Sequence, residues 1–170
     1  MEAHQPDLLL RQPIEQTLPG PRASLGVLVR SAGPARARQG KMVVANGVAE
    51  RFHPADVAAS RAELGLSTTG VIALFVGLLV PVKGLDLLFD ALQRLADLSL
   101  TCVLVGDGPL REHLDDRVQN EGMEGRVQFV GRRSAREIPC WMTAANLLVL
   151  PSLSEGRPNV VLEAQACGLP

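Results

Sequence analysis

The chain of 170 residues has few aromatic side chains, which make up 3% of the sequence, and no tyrosine. A core therefore has to be built mainly from aliphatic residues, within an apolar share of 46%. An apolar share of this size excludes an intrinsically disordered protein. The length is sufficient for one domain with its own hydrophobic core.

The sequence also has no excess of charge of either sign. Seventeen lysines and arginines face eighteen acidic residues, which leaves a formal net charge of −1. Domains that bind nucleic acid usually carry a basic excess or a basic stripe. We therefore expect no nucleic-acid partner.

Cysteines are few, and no long apolar segment is present. Cys102, Cys140 and Cys167 show no spacing typical of a disulfide framework or a zinc site, which favours a reducing compartment. The longest apolar run, 71–82, is too short to cross a bilayer. The acidic and proline-containing N-terminus does not resemble a secretory signal. These absences predict a cytoplasmic protein.

The first 40 residues differ from the remainder in composition. They contain five prolines and show little periodicity of apolar residues. We predict a poorly ordered segment over 1–40, a remnant or linker. Residues 41–170 are predicted to form the domain.

Beyond residue 40, apolar runs and amphipathic segments alternate along the chain. Such alternation predicts parallel strands joined by helical crossovers, so the expected fold class is α/β with a Rossmann-like open sheet. The predicted strands are 41–46, 71–77, 100–106, 126–131 and 146–152, and the predicted helices are 54–66, 83–98, 108–122 and 134–145.

Particular residues mark the predicted helix ends and the buried helical face. Pro54 and Pro109 are expected at first helical positions and Ser134 at an N-cap. In the second helix, the residues expected on the buried face are Leu85, Leu88, Phe89, Leu92 and Leu95.

The strand-to-helix loops are the expected place for function, because open parallel sheets bind ligands at the carboxyl ends of their strands. Four loops qualify: 77–84, 106–109, 131–136 and 151–159. Three of them carry glycine where the strand ends, which lets a ligand approach the backbone. Each also leads into a helix N-terminus, which favours anions. Taken singly, each of these loop signals is weak.

Two glutamates in the last twenty residues suggest a ligand with hydroxyl groups. Glu163 follows three apolar residues in a predicted helix, where an unpaired carboxylate is costly. It requires either a buried partner or hydroxyl donors from a ligand. With Glu155 eight residues earlier, backbone amides between the two, and Lys83 as a cation, the pattern suits a nucleotide-diphosphate sugar.

Several blocks occur in an order that resembles a known family: "FVGLLVPVKGLDLLFDAL", "LVGDGPLREHL", "VQFVGRRS" and "PSLSEGRPNVVLEAQACGLP". Over roughly residues 25 to 170, the chain resembles the C-terminal, donor-binding domain of the glycosyl transferases group 1, or glycosyltransferase family 4. The resemblance implies a GT-B architecture with two Rossmann-like domains facing a cleft. It also implies sugar transfer with retention of configuration, no metal, and no cofactor apart from the nucleotide-sugar donor.

The resemblance assigns roles to matching residues. Lys83 would contact the diphosphate, Glu163 the ribose hydroxyls and Glu155 the donor sugar, with Lys83 and Glu155 expected to support catalysis. The remaining donor-binding residues would be Gly77, Gly106, Gly131, Arg132, Gly156, Asn159 and Val160.

Two departures from the family pattern bear on activity. Leu78 occupies the position where the family usually carries an arginine on the diphosphate, and losing a cation there should slow turnover. The resemblance also leads us to expect that the sequence lacks the family's N-terminal domain and is truncated at both ends. The sequence therefore does not define the acceptor. The family's N-terminal domain would then be supplied by a separate chain, and any peripheral membrane contact would be made through that domain.

Two other readings compete with a transferase. One is a non-catalytic nucleotide-sugar-binding or interaction domain without an acceptor domain. The other is a related Rossmann-type enzyme such as a nucleotide-sugar epimerase, which the block "EGRPNVVLEA" disfavours because such epimerases do not usually carry it.

Overall fold

A computed structural model of the chain describes residues 47–170. The predicted disordered segment 1–40 and the predicted strand 41–46 lie outside the described residues, so both stay predictions.

The described residues form one sheet of four parallel strands. These are β1 (Val71–Val76), β2 (Leu100–Val105), β3 (Val127–Gly131) and β4 (Leu147–Leu148). Their order across the sheet is β3-β2-β1-β4. The chain therefore moves outward on one side of β1 through β2 and β3, and then returns to add β4 on the other side. The predicted α/β fold with a parallel sheet is confirmed.

Within residues 47–170, five α-helices and one 3₁₀ turn connect or flank the strands. The 3₁₀ turn covers Pro81–Lys83. The helices are α1 (Val57–Glu63), α2 (Leu85–Arg94), α3 (Arg111–Asn120), α4 (Ile138–Ala144) and α5 (Asn159–Ala166). None of the helices within residues 47–170 has the length and apolarity needed to span a membrane.

The helices begin later than the sequence predicts. The carboxylate of Asp56 accepts a hydrogen bond from the Ala59 amide at 2.7 Å, so α1 begins after this cap rather than at Pro54. Pro109 lies in the turn that precedes α3. The predictions that placed these two prolines at first helical positions were wrong.

Ser134 does not cap α4, which begins four residues further on with Pro139 in its first turn. The Ser134 amide instead donates to the Glu137 carboxylate at 2.8 Å, and this bond closes a separate turn. Proline at the start of a helix loses no intrahelical hydrogen bond. The helix therefore begins at Ile138, with Pro139 in its first turn, and not at the predicted residue 134.

The strands are buried on both faces, which explains their continuous apolar sequences. Phe75 and Leu104 face one cluster with α2 and α3. Leu74 and Val103 face a second cluster with α4 and α5. Leu85, Leu88, Phe89 and Leu92 are buried as predicted, whereas Leu95 is 41% exposed because α2 ends at Arg94.

The last strand is much shorter than predicted. Only Leu147 and Leu148 pair with β1 in a ladder, although the Val149 amide still donates to the Leu74 carbonyl at 2.8 Å. The chain then turns at Pro151 into the loop that precedes α5. This early departure from the sheet places the loop beside the end of β1.

Candidate functional site

The direction in which strands are added to the sheet reverses between β1 and β4, since β2 and β3 lie on one side of β1 and β4 lies on the other. The loops that follow β1 and β4 lie side by side. We call residues 77–84 the β1 loop and residues 149–158 the β4 loop. The Leu153 amide donates to the Val82 carbonyl at 2.9 Å, which joins the two loops through their backbones. Such a switch point is where open α/β sheets most often hold their ligands.

The side chains of Lys83 and Glu155 connect the same two loops. Lys83 Nζ donates to Glu155 Oε1 at 2.5 Å, and Ser152 Oγ donates to the same oxygen at 2.6 Å. Each side chain of the ion pair is 23% exposed. The hydrogen bond from Lys83, followed by that from Ser152, lowers the pKa of Glu155 below its ordinary value. The structure thus brings together both residues that the sequence suggested for catalysis.

Gly84 allows the two loops to approach each other. It has a φ of 64°, and a Cβ atom placed on it would lie 2.2 Å from the Pro151 carbonyl oxygen. No side chain fits there without separating the loops. The sequence alone did not indicate this role of Gly84, because the role depends on a loop that lies 67 residues further along the chain.

Of the predicted glycines at the other strand ends, Gly106 allows close packing of backbone on backbone. A Cβ on Gly106, whose φ is 146°, would lie 1.8 Å from the Gly77 carbonyl oxygen. The Gly106 amide in turn donates to the Gly131 carbonyl at 2.9 Å. At Gly131 and Gly156, by contrast, nothing lies within 4 Å of the position that a Cβ would take.

Glu163 lies in the second turn of α5 and is half-buried. Among residues 47–170, no group donates a hydrogen bond to its carboxylate. Burial raises the pKa of Glu163, and the positive charge of Arg51 offsets part of that rise. The sequence left open either a buried partner or a ligand for Glu163, and a half-buried carboxylate without a donor suits a ligand that brings hydroxyl groups.

Arg51 is a residue near this site that sequence reasoning did not identify. Its Nε donates to the Ala135 carbonyl at 3.0 Å, so the side chain reaches the segment that follows β3. Its guanidinium carbon also lies 5.0 Å from the centre of the Phe52 ring, which is buried. Little in the sequence indicated this role beyond the position of Arg51 directly before Phe52. A single arginine of this kind is usually a solvated surface residue, so it was not identified.

The N-terminus of α5 begins at Asn159 and continues with Val160. The N-cap residue is Pro158, and no side chain accepts a hydrogen bond at this cap. The first turn of α5 also contains no acidic residue. The Asn159 amide donates to the Arg157 carbonyl at 2.9 Å, so the Val160 amide and the positive end of the helix dipole are the features here that suit an anion.

The two remaining predicted positions lie on the surface. Arg132 directly follows β3 and is exposed. Leu78 in the β1 loop is 59% exposed. Within the part of the chain that the structure describes, no group of three or more His, Cys, Asp or Glu residues is placed to hold a metal ion.

A family model described as "Glycosyl transferases group 1" matches residues 56–170. Among characterised relatives, D-inositol 3-phosphate glycosyltransferase of Frankia alni is 41% identical over 140 residues. That match covers 75% of this chain and 34% of the relative. The chain thus spans about a third of the length of the curated relatives that it matches.

Solved structures show the same fold. HepE of Anabaena in complex with UDP and glucose is 28% identical with a TM-score of 0.67, and the match covers 75% of this chain and 36% of HepE. The C-terminal domain of the glycosyl transferase group 1 protein LpcC from Francisella tularensis has a TM-score of 0.64. At 24% identity, with 72% of this chain and 68% of that domain covered, this second likeness shows the fold alone. The predicted fold, the C-terminal half of a GT-B protein, is confirmed.

Proposed function

The chain belongs to the glycosyl transferases group 1, and we propose that residues 41–170 are the donor-binding domain of a retaining glycosyltransferase. The observation that carries the proposal is the contact between Lys83 and Glu155 at the sheet's switch point. It places a cation and a carboxylate beside the exposed β4 loop and the uncapped start of α5. A nucleotide-diphosphate sugar offers a matching anion and hydroxyl groups.

In this proposal the diphosphate binds between Lys83 and the first turn of α5. The N–H groups of Asn159 and Val160 lie at the positive end of the helix, where phosphate oxygens are stabilised. Hydrogen bonds between an ammonium group and phosphate are about twice as strong as neutral ones. Lys83 would also stabilise the negative charge that develops on the leaving diphosphate.

The nucleoside would extend from the diphosphate towards Glu163 and the end of β3. The carboxylate of Glu163 has two acceptor oxygens, which suit the neighbouring 2′- and 3′-hydroxyls of ribose. Its half-buried position without a hydrogen-bond donor supports this role. Gly131 and Arg132, at the end of β3, would then line the base.

The sugar would lie on the side of Glu155, whose carboxylate accepts its hydroxyl groups. During transfer, the bond between the anomeric carbon and the diphosphate oxygen breaks, and a bond to the acceptor oxygen forms on the same face. The acceptor's proton passes to the departing diphosphate. No metal and no cofactor beyond the donor take part in this scheme.

A second candidate function is donor binding without transfer, and Leu78 favours it. An exposed leucine occupies the position in the β1 loop where the family resemblance leads us to expect an arginine. A missing cation near the leaving group removes electrostatic stabilisation on the order of several kcal/mol. In either case, acceptor contacts would come from protein outside residues 41–170, in the same chain or in a partner.

We place the activity in the cytoplasm. This location is supported by the three cysteines of the chain, all of which are free thiols in the structure.

Titration calorimetry with UDP, GDP and ADP, each beside a matching nucleotide sugar, tests the proposal. We expect at least one pair to bind, with competition between the diphosphate and its sugar ester for one site. Absence of binding by all three pairs would contradict the proposed function. Acceptor-dependent release of the nucleoside diphosphate then separates transfer from binding alone.

A further inference from the structure

We propose that the ion pair between Lys83 and Glu155 couples recognition of the donor's diphosphate to recognition of its sugar. This inference rests on the proposed function and assigns to the pair a preference for sugar-bearing nucleotides over free nucleoside diphosphates. The residue that determines this preference is Glu155, with Ser152 as its positioning residue.

Two donors hold the Glu155 carboxylate through one of its oxygens. Both Lys83 Nζ and Ser152 Oγ donate to Oε1, at 2.5 and 2.6 Å. Within residues 47–170, Oε2 accepts no hydrogen bond. One oxygen is therefore saturated, and the other is open to a ligand.

Lys83 cannot serve Glu155 and a diphosphate equally well. A diphosphate carries more total negative charge than a single carboxylate, so a bound diphosphate draws the ammonium group away from Oε1. The Lys83 side chain is 23% exposed, so its ammonium group can turn from Oε1 towards such a ligand. The first consequence of diphosphate binding is thus a carboxylate that has lost its cation.

Ser152 determines what happens to that carboxylate. Its hydroxyl group continues to donate to Oε1 and holds the carboxylate in the β4 loop after Lys83 has moved. Glu155 then presents acceptor capacity on both oxygens at the place where the sugar would lie. Sugar hydroxyls can replace the hydrogen bond that Lys83 withdrew, whereas a free nucleoside diphosphate has no group that can do so.

The two halves of the donor are therefore recognised together. A free nucleoside diphosphate binds at the expense of the ion pair and leaves Glu155 poorly compensated, while the sugar ester restores the lost contact. Once the sugar has been transferred, the nucleoside diphosphate can no longer restore the contact to Glu155. It therefore binds more weakly than the intact donor, which favours product release.

The test compares affinities for UDP and UDP-glucose, and for the guanosine and adenosine pairs, in Glu155→Gln and in the unaltered chain. Since a partly exposed ion pair changes an equilibrium by about two- to fivefold, E155Q should bind the nucleoside diphosphate tighter by roughly that factor. Its preference for the sugar ester should decrease by a similar factor or more. Both changes should appear in the nucleotide pair that the unaltered chain binds.

Two controls separate this coupling from a general charge effect. Glu124→Gln removes the same charge from an exposed position in the turn before β3, at the opposite edge of the sheet, and should change neither affinity. In a Lys83→Ala background, E155Q should no longer strengthen nucleoside diphosphate binding, because no ion pair is left to break.

The outcomes distinguish the inference from the function on which it rests. If the unaltered chain binds none of the nucleotide pairs, the proposed function fails and the inference fails with it. If the chain binds a pair but E155Q leaves nucleoside diphosphate affinity unchanged or weaker, only the coupling is overturned. The same holds if the gain persists without Lys83.

Discussion

Replacing Leu78 with arginine should strengthen donor binding, and the structure gives the size of the effect. Leu78 is 59% exposed in the β1 loop, so its side chain leaves no cavity when it is exchanged. Exposed substitutions of this kind usually change stability by less than about 0.5 kcal/mol. The gain in binding can therefore be measured without a loss of folded protein.

The expected gain follows from one charge-assisted hydrogen bond to the diphosphate. Such a bond contributes about 1.5–3 kcal/mol, and 1.4 kcal/mol corresponds to about tenfold in affinity. Because position 78 is exposed, water and salt compete for the guanidinium group, and the lower end of this range applies. We expect Leu78→Arg to bind a nucleoside diphosphate about tenfold more tightly than the unaltered chain.

Calorimetric titration at two salt concentrations checks this expectation, with Leu78→Gln as a polar but uncharged control. The gain should appear for the diphosphate, be much smaller for the nucleoside alone, and decrease as the salt concentration rises. The reasoning is refuted if L78R binds no more tightly than L78Q. It is also refuted if L78R improves nucleoside binding by the same factor.

Three further substitutions test other parts of the site. Lys83→Ala should weaken nucleoside diphosphate binding by about tenfold or more but change nucleoside binding little, since it removes a charge-assisted bond to phosphate; equal losses in a titration would contradict this role. Gly106→Ala should destabilise the fold by about 3 kcal/mol or more in urea denaturation, because its methyl group would meet the Gly77 carbonyl. Glu163→Gln should weaken ribonucleotide binding by roughly tenfold and 2′-deoxyribonucleotide binding less; an identical loss for both would show that Glu163 does not bind the ribose.

The sheet was predictable from the sequence because β1 and β2 are covered on both faces. Burial on two faces requires continuous apolar runs, and runs such as 71–76 stand out in any sequence. Helix ends were harder to predict, since they depend on which side chain reaches an amide. Asp56 caps α1 two residues after Pro54, and the proline by itself gave the wrong start.

The contacts of the site depend on the order of strands in space, which local patterns do not encode. Lys83 and Glu155 are 72 residues apart and meet only because β4 is added beside β1. The resemblance to a family supplied both residues but not their ion pair or the hydrogen bond from Ser152. Arg51 was missed for the same reason, as its partner Ala135 is 84 residues away.

Glu163 should lower the stability of the fold at neutral pH, as expected of a residue retained for binding. Burial raises the pKa of Glu163 above its ordinary value of 4.5, so folding favours the protonated form. The stability that this carboxyl group contributes is present below pH 4.5 and is lost as pH rises through the folded-state pKa.

Glutamine is uncharged throughout, so Glu163→Gln should unfold at a higher temperature than the unaltered chain at pH 7, and the difference should shrink towards pH 4. Thermal denaturation across that range, with Glu124→Gln as an exposed control, measures the difference. A Glu163→Gln protein that is less stable at pH 7 would indicate a structural role for the carboxylate and would weaken its assignment to the ribose.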